Sequence, residues 1–208
     1  MHALDDVSLE IARGEFVAVT GPSGCGKTTL MHLMAGLDTP TSGEIYVDGL
    51  ALHAANDAAL TEYRRAQLGL VFQFFNLLPT MNVIENVSFP LLLQGVPFAE
   101  SEARARELLE LVGMTERATH FVHQLSGGEQ QRTAIALALI HKPALLIADE
   151  PTGNLDSRSA EMVMRVLGQI GNDKLATLIV VTHSAEVARA ASRRIEMRDG
   201  RIVSANGA

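Results

Sequence analysis

The feature that most constrains this chain is an eight-residue glycine-rich loop set directly behind an apolar run. Phe16–Thr20 is five residues long and apolar but for its last position, and reads as a strand. Gly21-Pro22-Ser23-Gly24-Cys25-Gly26-Lys27-Thr28 follows without a break and fits the pattern G-x-x-x-x-G-K-[ST]. The next stretch, Thr28–Ala35, with Thr29 in its first turn, reads as a helix. Glycines let the backbone curl so that several N–H groups face one anion. The helix start adds partial positive charge. Lys27 supplies a full charge to the β- and γ-phosphates, and the Thr28 hydroxyl suits a Mg²⁺ ion. A solvated lysine in a glycine-rich turn is the bland alternative. The strand–loop–helix context favours phosphate binding.

The rest of the chain alternates strand and helix patterns, which predicts an α/β fold. Leu145–Ala148 and Leu178–Val181 are short continuous apolar runs, as buried parallel strands require. Leu68–Phe72 is a further strand, and Glu44–Asp48 a short one behind the turn Pro40–Gly43. Val7–Ile11 alternates apolar and polar residues in the same manner. Between about Asn82 and Gln124 the period changes to helical, with Ala99–Val112 amphipathic. Helices are also expected at Gly128–Ile140, Ser157–Ile170 and Ala185–Ser192, and a closing hairpin at Arg194–Val203. The expectation is one domain over 1–208. Residues 1–81 and 141–208 would form a mostly parallel sheet core with a small antiparallel β part. Residues 82–140 would form an inserted helical lobe.

Composition narrows the functions open to such a fold. The chain is acidic, with 17 Lys and Arg against 24 Asp and Glu, a net charge of −7, and has no basic stripe; nucleic acid is not an expected partner. Its single cysteine, Cys25, excludes an intramolecular disulfide and fits a reducing compartment. No apolar run approaches the roughly 20 residues that span a bilayer. The acidic, interrupted N-terminal stretch has no signal-peptide pattern. Any membrane role is therefore expected to come through a partner rather than by insertion.

Two further stretches carry chemistry. Ala144–Glu150 is an apolar strand ending in two carboxylates, Asp149 and Glu150, which it would deliver to the sheet edge where ligands bind. Asp149 suits Mg²⁺. Glu150 suits a general base that polarises an attacking water. Two acids in an ordinary turn are the alternative, disfavoured beside the phosphate loop. Leu125-Ser126-Gly127-Gly128-Glu129-Gln130 contains a capping box, Ser126-x-x-Glu129. A capping box needs no glycine pair. Gly127 and Gly128 bare a second helix start to an anion, so one nucleotide shared between two copies is expected.

Taken together, these motifs resemble the nucleotide-binding subunit of ATP-binding cassette (ABC) transporters, from about Ala3 to Val203. The phosphate loop, Leu125–Arg132, Ala144–Glu150, Gly153-Asn154-Leu155-Asp156-Ser157 and Val181-Thr182-His183 stand in the family's order. The resemblance implies ATP and Mg²⁺ as cofactors. It implies that Gln73 senses Mg²⁺ and the membrane partner, and that His183 touches the γ-phosphate. Ser126, Gly127 and Gly128 would contact the γ-phosphate across a head-to-tail dimer, with Asp156 in the loop joining the two sites. By themselves, His183 reads as a strand-end histidine and Gln73 carries no signal. Phe72–Pro79, Asn82–Val87, Pro90–Leu93 and Asp149–Ser157 are similar to exporters of the lipoprotein-release and macrolide-efflux type. That type implies a separate permease and a place on the cytoplasmic face of the inner membrane. Part of Phe74–Leu93 is then an exposed groove for a permease helix, or else ordinary packing of the helical lobe.

The resemblance has departures. The family carries an earlier strand and an aromatic that stacks on adenine; here Met1–Leu4 stands where the next strand begins, and His2 is the candidate for stacking. Val7–Ile11 is then expected to present an unpaired edge. Leu137 replaces an arginine, and Ser184 an aspartate. Cys25 replaces serine or glycine, and a thiol at a helix start beside a lysine is expected to react with alkylating reagents. Other readings are a regulator of an envelope enzyme, as in the cell-division branch, and a binder that no longer turns over. A soluble DNA-repair or translation ATPase would need a second cassette, a coiled coil or basic arms.

Overall fold

The computed structural model describes residues 3–207; His2, the candidate for adenine stacking, lies outside them. Its organising element is β1 (Phe16–Thr20), buried along its whole length. Around it a six-stranded sheet runs in the order β4 (Leu68–Val71), β5 (Leu145–Asp149), β6 (Thr177–Val181), β1, β7 (Arg193–Arg198), β8 (Arg201–Gly207). Every neighbouring pair is parallel except β7 and β8, which form the closing antiparallel hairpin. A separate antiparallel pair, β2 (Tyr46–Val47) and β3 (Leu50–Ala51), forms the small β part. This is the α/β architecture with a mostly parallel sheet that the sequence predicts.

The alternation of side chains along the strands divides the core into two layers. Ala18, Leu146, Ala148, Leu178 and Val180 face one side and meet Ile135, Val163 and Leu167 of α5 (Gly127–Leu139) and α6 (Ser157–Asn172). Val17, Val19, Leu145, Ile147, Ile179 and Val181 face the other. They meet Met31 and Met34 of α1 (Lys27–Met34) and Tyr63 of α2 (Asp57–Ala66). Strands covered on both faces explain the continuous apolar runs. Each large side chain in these layers contributes about 1.5–3 kcal/mol through burial. Two more helices, α3 (Val83–Leu93) and α4 (Phe98–Leu111), pack on each other and on α5. Asn82 and Glu85 close a reciprocal capping box at the start of α3.

The structure departs from the sequence reading at three places. Val7–Ile11 is not in a strand; its Val7, Leu9 and Ile11 satisfy their alternation by packing on the second core layer. Glu44–Asp48 shrinks to the two paired residues Tyr46 and Val47. Helix α2 was not anticipated, although Asn56 caps it by accepting from the Ala59 N–H. Between β6 and β7 lies α7 (Ala185–Ala190), capped by Ser184, whose Oγ accepts from the Val187 N–H. The residue in place of the expected aspartate is thus a competent helix cap. Leu137 lies partly buried on α5.

Candidate functional site

Because β5, β6 and β1 are adjacent and parallel, their carboxyl ends open on one edge of the sheet. Asp149, Thr182–His183 and the phosphate loop all emerge there. The loop leaves Thr20 and enters α1 at Gly26, which has φ 102° and no side chain to cap the helix. Only glycine adopts that conformation without strain. Close approach fixes Gly21 as well: a Cβ there would stand 2.2 Å from the Met197 carbonyl oxygen. The loop is braced from outside by two segments that sequence reasoning missed. The Gly200 N–H donates to the Cys25 carbonyl at 3.0 Å, and the Ala3 carbonyl lies against Gly26. Lys27 donates through Nζ to the carbonyls of Gly21 (2.8 Å) and Pro22 (3.0 Å). Ser23, Gly24 and Thr28 are exposed, and Thr29 is partly buried.

Cys25 corrects one expectation. Its thiol is buried at 3% exposure within the second core layer, against the position a Gly21 Cβ would occupy. An alkylating reagent has no access to it in this conformation. The residue fills space beneath the loop, and its backbone joins the loop to Pro22 and Gly200.

Asp149 shares a sheet face with Ile147, the face covered by α1. Its pKa is raised, first by burial and then by the neighbouring Glu150 charge, with His32 and Lys27 of α1 working in the opposite direction. A half-buried carboxylate beside a second one is a donor set that a divalent cation would satisfy. Among the described residues no cluster of three or more His, Cys, Asp or Glu could hold a metal by itself. A Mg²⁺ bound through one carboxylate, a hydroxyl and substrate phosphates fits that set.

Glu150 adopts φ 45°, a left-handed conformation that costs a non-glycine residue about 1–2 kcal/mol. It is held there on three sides. Its N–H donates to the Val181 carbonyl at 2.8 Å. The His183 Nδ1 lies 2.7 Å from Oε1, and since a carboxylate only accepts, Nδ1 carries the proton. Thr182 Oγ1 donates to Oε2 at 3.2 Å. The His183 side chain is 73% exposed and that of Glu150 17%. Both line an open cleft of about 420 Å³ with Thr152, Gly153, Leu155 and Ser184.

The glycine-paired helix start is the N-terminus of α5. Ser126 caps α5 by accepting from the Glu129 N–H, while the Glu129 carboxylate accepts from the Ser126 N–H at 2.8 Å. That N–H, and then the Arg117 guanidinium, hold the Glu129 pKa below its ordinary value. The two glycines differ. A Cβ on Gly128 would come within 2.6 Å of Ser159 on α6, so packing alone requires glycine. A Cβ on Gly127 would meet only ordinary contacts, the nearest at 3.4 Å from Leu155. Nothing among the described residues therefore requires a bare backbone at Gly127. Asp156 caps α6, accepting from the Ser159 N–H and hydroxyl, which lower its pKa. Gln73 donates to Asn154 Oδ1 at 3.4 Å, beside Gly153. Among the described residues no hydrogen bond joins Ser126, Gly127 or Gly128 to the phosphate loop. Past Gln73, Phe74, Leu78, Leu93 and Phe98 are exposed, whereas Val83, Ile84 and Val87 are core. The segment Phe74–Leu93 is thus partly exposed and partly packed.

Comparison with known proteins adds to this geometry. Residues 4–153 match the family described as ABC transporter. The fold superposes on a solved dimeric structure of a post-hydrolysis state of the ATP-binding cassette MJ0796 bound to ADP and Pi. That protein is 41% identical, with 99% of this chain and 90% of that one covered and a TM-score of 0.88. A second dimeric structure of MJ0796, described as a bacterial ABC transporter cassette, gives 41% identity, the same coverage and a TM-score of 0.89. The cbiO1 protein of Clostridium perfringens, part of the ABC transporter complex cbiONQ, is 30% identical. There 99% of this chain and 82% of that one are covered, with a TM-score of 0.92.

Proposed function

This chain belongs to the ABC transporter family and is an ATPase cassette of it, and from that premise we propose that it powers a separate export-type permease by clamping two MgATP between two copies of itself. The observation that carries the reading is Glu150, held by His183 at the carboxyl edge of the sheet beside Asp149. In this reading Lys27 exchanges the Gly21 and Pro22 carbonyls for the β- and γ-phosphates, and the N–H groups from Ser23 to Thr29 line the same anion. Thr28, Asp149 and Gln73 hold Mg²⁺, which when bound neutralises phosphate charge. Ser126, Gly127 and Gly128 present the start of α5 to the γ-phosphate held by the other copy. The bare surface at Gly127 suits that close approach. Asp156 and the loop it ends lie between the two sites.

Glu150 takes a proton from water as the water oxygen bonds to the γ-phosphorus. The bond from phosphorus to the bridging oxygen breaks, and ADP leaves with that electron pair. Most of the acceleration is positioning and charge stabilisation, with general-base action adding about 10²–10⁴-fold. Closure on ATP and release after hydrolysis drive the attached permease. The exposed Phe74, Leu78 and Leu93 form the face that receives a permease helix. We assign the chain to the cytoplasmic face of the membrane, held there by the permease, on its resemblance to export-type cassettes; no described helix is long and apolar enough to cross a membrane. Residues 82–140 act as one lobe against a core of 1–81 and 141–208.

Phosphate release from MgATP tests the reading directly. The unaltered chain releases phosphate, and Lys27→Ala abolishes both release and nucleotide binding. A Lys27→Ala protein that binds and turns over MgATP as before sinks the proposal. Purification of the chain with its cognate permease then separates export from regulation of an envelope enzyme, by whether an export channel or a cell-wall hydrolase accompanies it.

A further inference from the structure

Thr182 has a fixed hydrogen-bonding polarity. It is fully buried, at 0% exposure, immediately after β6. Its Oγ1 accepts from the Ser184 N–H at 3.0 Å, and its N–H donates to the Val19 carbonyl. A hydroxyl has one proton to give. With Ser184 on its acceptor side, that proton goes to Glu150 Oε2 at 3.2 Å. The other oxygen, Oε1, is held by His183, whose side chain is 73% exposed. One carboxylate is thus shared between an anchored hydroxyl and an exposed imidazole.

We infer that Thr182 is the positioning residue for Glu150: it keeps Oε2 fixed when His183 turns to the γ-phosphate, which leaves Oε1 as the atom that accepts the proton from water. The inference rests on the reading of Glu150 as the base. The hydroxyl belongs to the end of β6, which also takes the Glu150 N–H through Val181. Backbone and side chain of Glu150 are therefore referred to one rigid strand, and the orientation survives the loss of the His183 bond. Without the hydroxyl, the carboxylate is free to turn about its last torsion in the cleft, since that torsion is broad.

The test compares Thr182→Val, which keeps the shape and removes the donor, with Thr182→Ser, which restores it. We expect kcat for MgATP to fall roughly ten- to a hundredfold in the valine variant with KM unchanged, and the serine variant to recover most of the loss. In a Glu150→Gln background, Thr182→Val should still give the MgATP-dependent dimer mass, since no clamp contact is removed. Should the valine variant fail to fold, Thr182→Ala supplies the same readouts. A valine or alanine variant with unaltered kcat, beside an inactive Glu150→Gln protein, overturns the role of Thr182 and leaves Glu150 as the base. A rise in KM equal to the fall in kcat/KM, or no recovery by serine, overturns it as well. Full turnover by Glu150→Gln would instead remove the reading beneath it.

Discussion

Replacing Gly128 with alanine would place a methyl carbon 2.6 Å from both Cβ and Oγ of Ser159. Carbon atoms in good contact stand about 3.5–4.0 Å apart, so α5 and α6 must separate by roughly 1 Å. The strain cannot be relieved by a rotamer change, because the Ser159 Cβ is fixed to its helix. Overpacking of this kind costs about 1–3 kcal/mol. For a chain of this size each kcal/mol lowers Tm by about 2–4 °C. The partner variant should discriminate sharply. Ser159→Ala keeps the offending Cβ and should not rescue Gly128→Ala. Ser159→Gly removes it and should show a favourable coupling of about 0.5–3 kcal/mol in a double-mutant cycle, on top of its own loss of the bond to Asp156. Urea unfolding at constant m is the assay. Gly128→Ala melting like the unaltered chain, or rescue by Ser159→Ala as good as by Ser159→Gly, would refute the packing argument.

Asn86, 2% exposed, holds the loop before α3 by accepting from the Leu78 N–H and donating to the Leu78, Met81 and Asn82 carbonyls. Asn86→Ala should cost about 2–3 kcal/mol by stranding these groups, with protease cleavage appearing first between residues 76 and 82. Glu129 has its pKa lowered in the folded chain, so its contribution is present above the unfolded value and is lost as pH falls through the folded one. The unaltered chain should therefore lose Tm more steeply than Glu129→Gln on going from the ordinary glutamate range to more acid pH. Equal slopes would refute it.

Much of this architecture was legible because burial on both faces leaves a plain mark. β1 and β6 read as strands since every position but one is apolar, and α4 was placed within a residue by its amphipathic stripe. The same rule misled at Val7–Ile11, where alternation is satisfied by packing without a ladder. Helix α2 escaped because it is short and buries Tyr63 alone, although the Asn56 cap and the i, i+3 spacing of Leu60 and Tyr63 were available signals. In the site, Lys27, Asp149 and Glu150 stand out in the sequence because their residue types have a direct chemical use, whereas His183 enters only through the family resemblance; the fold brings Asp149, Glu150 and His183 to one sheet edge. Missed were those whose use depends on what stands opposite. Thr182 looks like any strand-end threonine until its hydroxyl is seen against Glu150. Cys25 reads as a reactive thiol until the core closes over it. Gly128 reads as room for an anion, and the chain itself supplies Ser159 as a reason for it. Arg132 closes the Leu125–Arg132 motif, but nothing in the sequence points to its burial at 6% exposure, with its guanidinium donating to the sulfurs of Met114 and Met162.

The mass in solution of Glu150→Gln, with and without saturating MgATP, tests the central claim most directly. Two copies that clamp nucleotide but cannot release it should move from one chain to two, and Lys27→Ala in the same background should abolish the shift. A Glu150→Gln protein that binds MgATP and keeps the mass of a single chain would contradict the account.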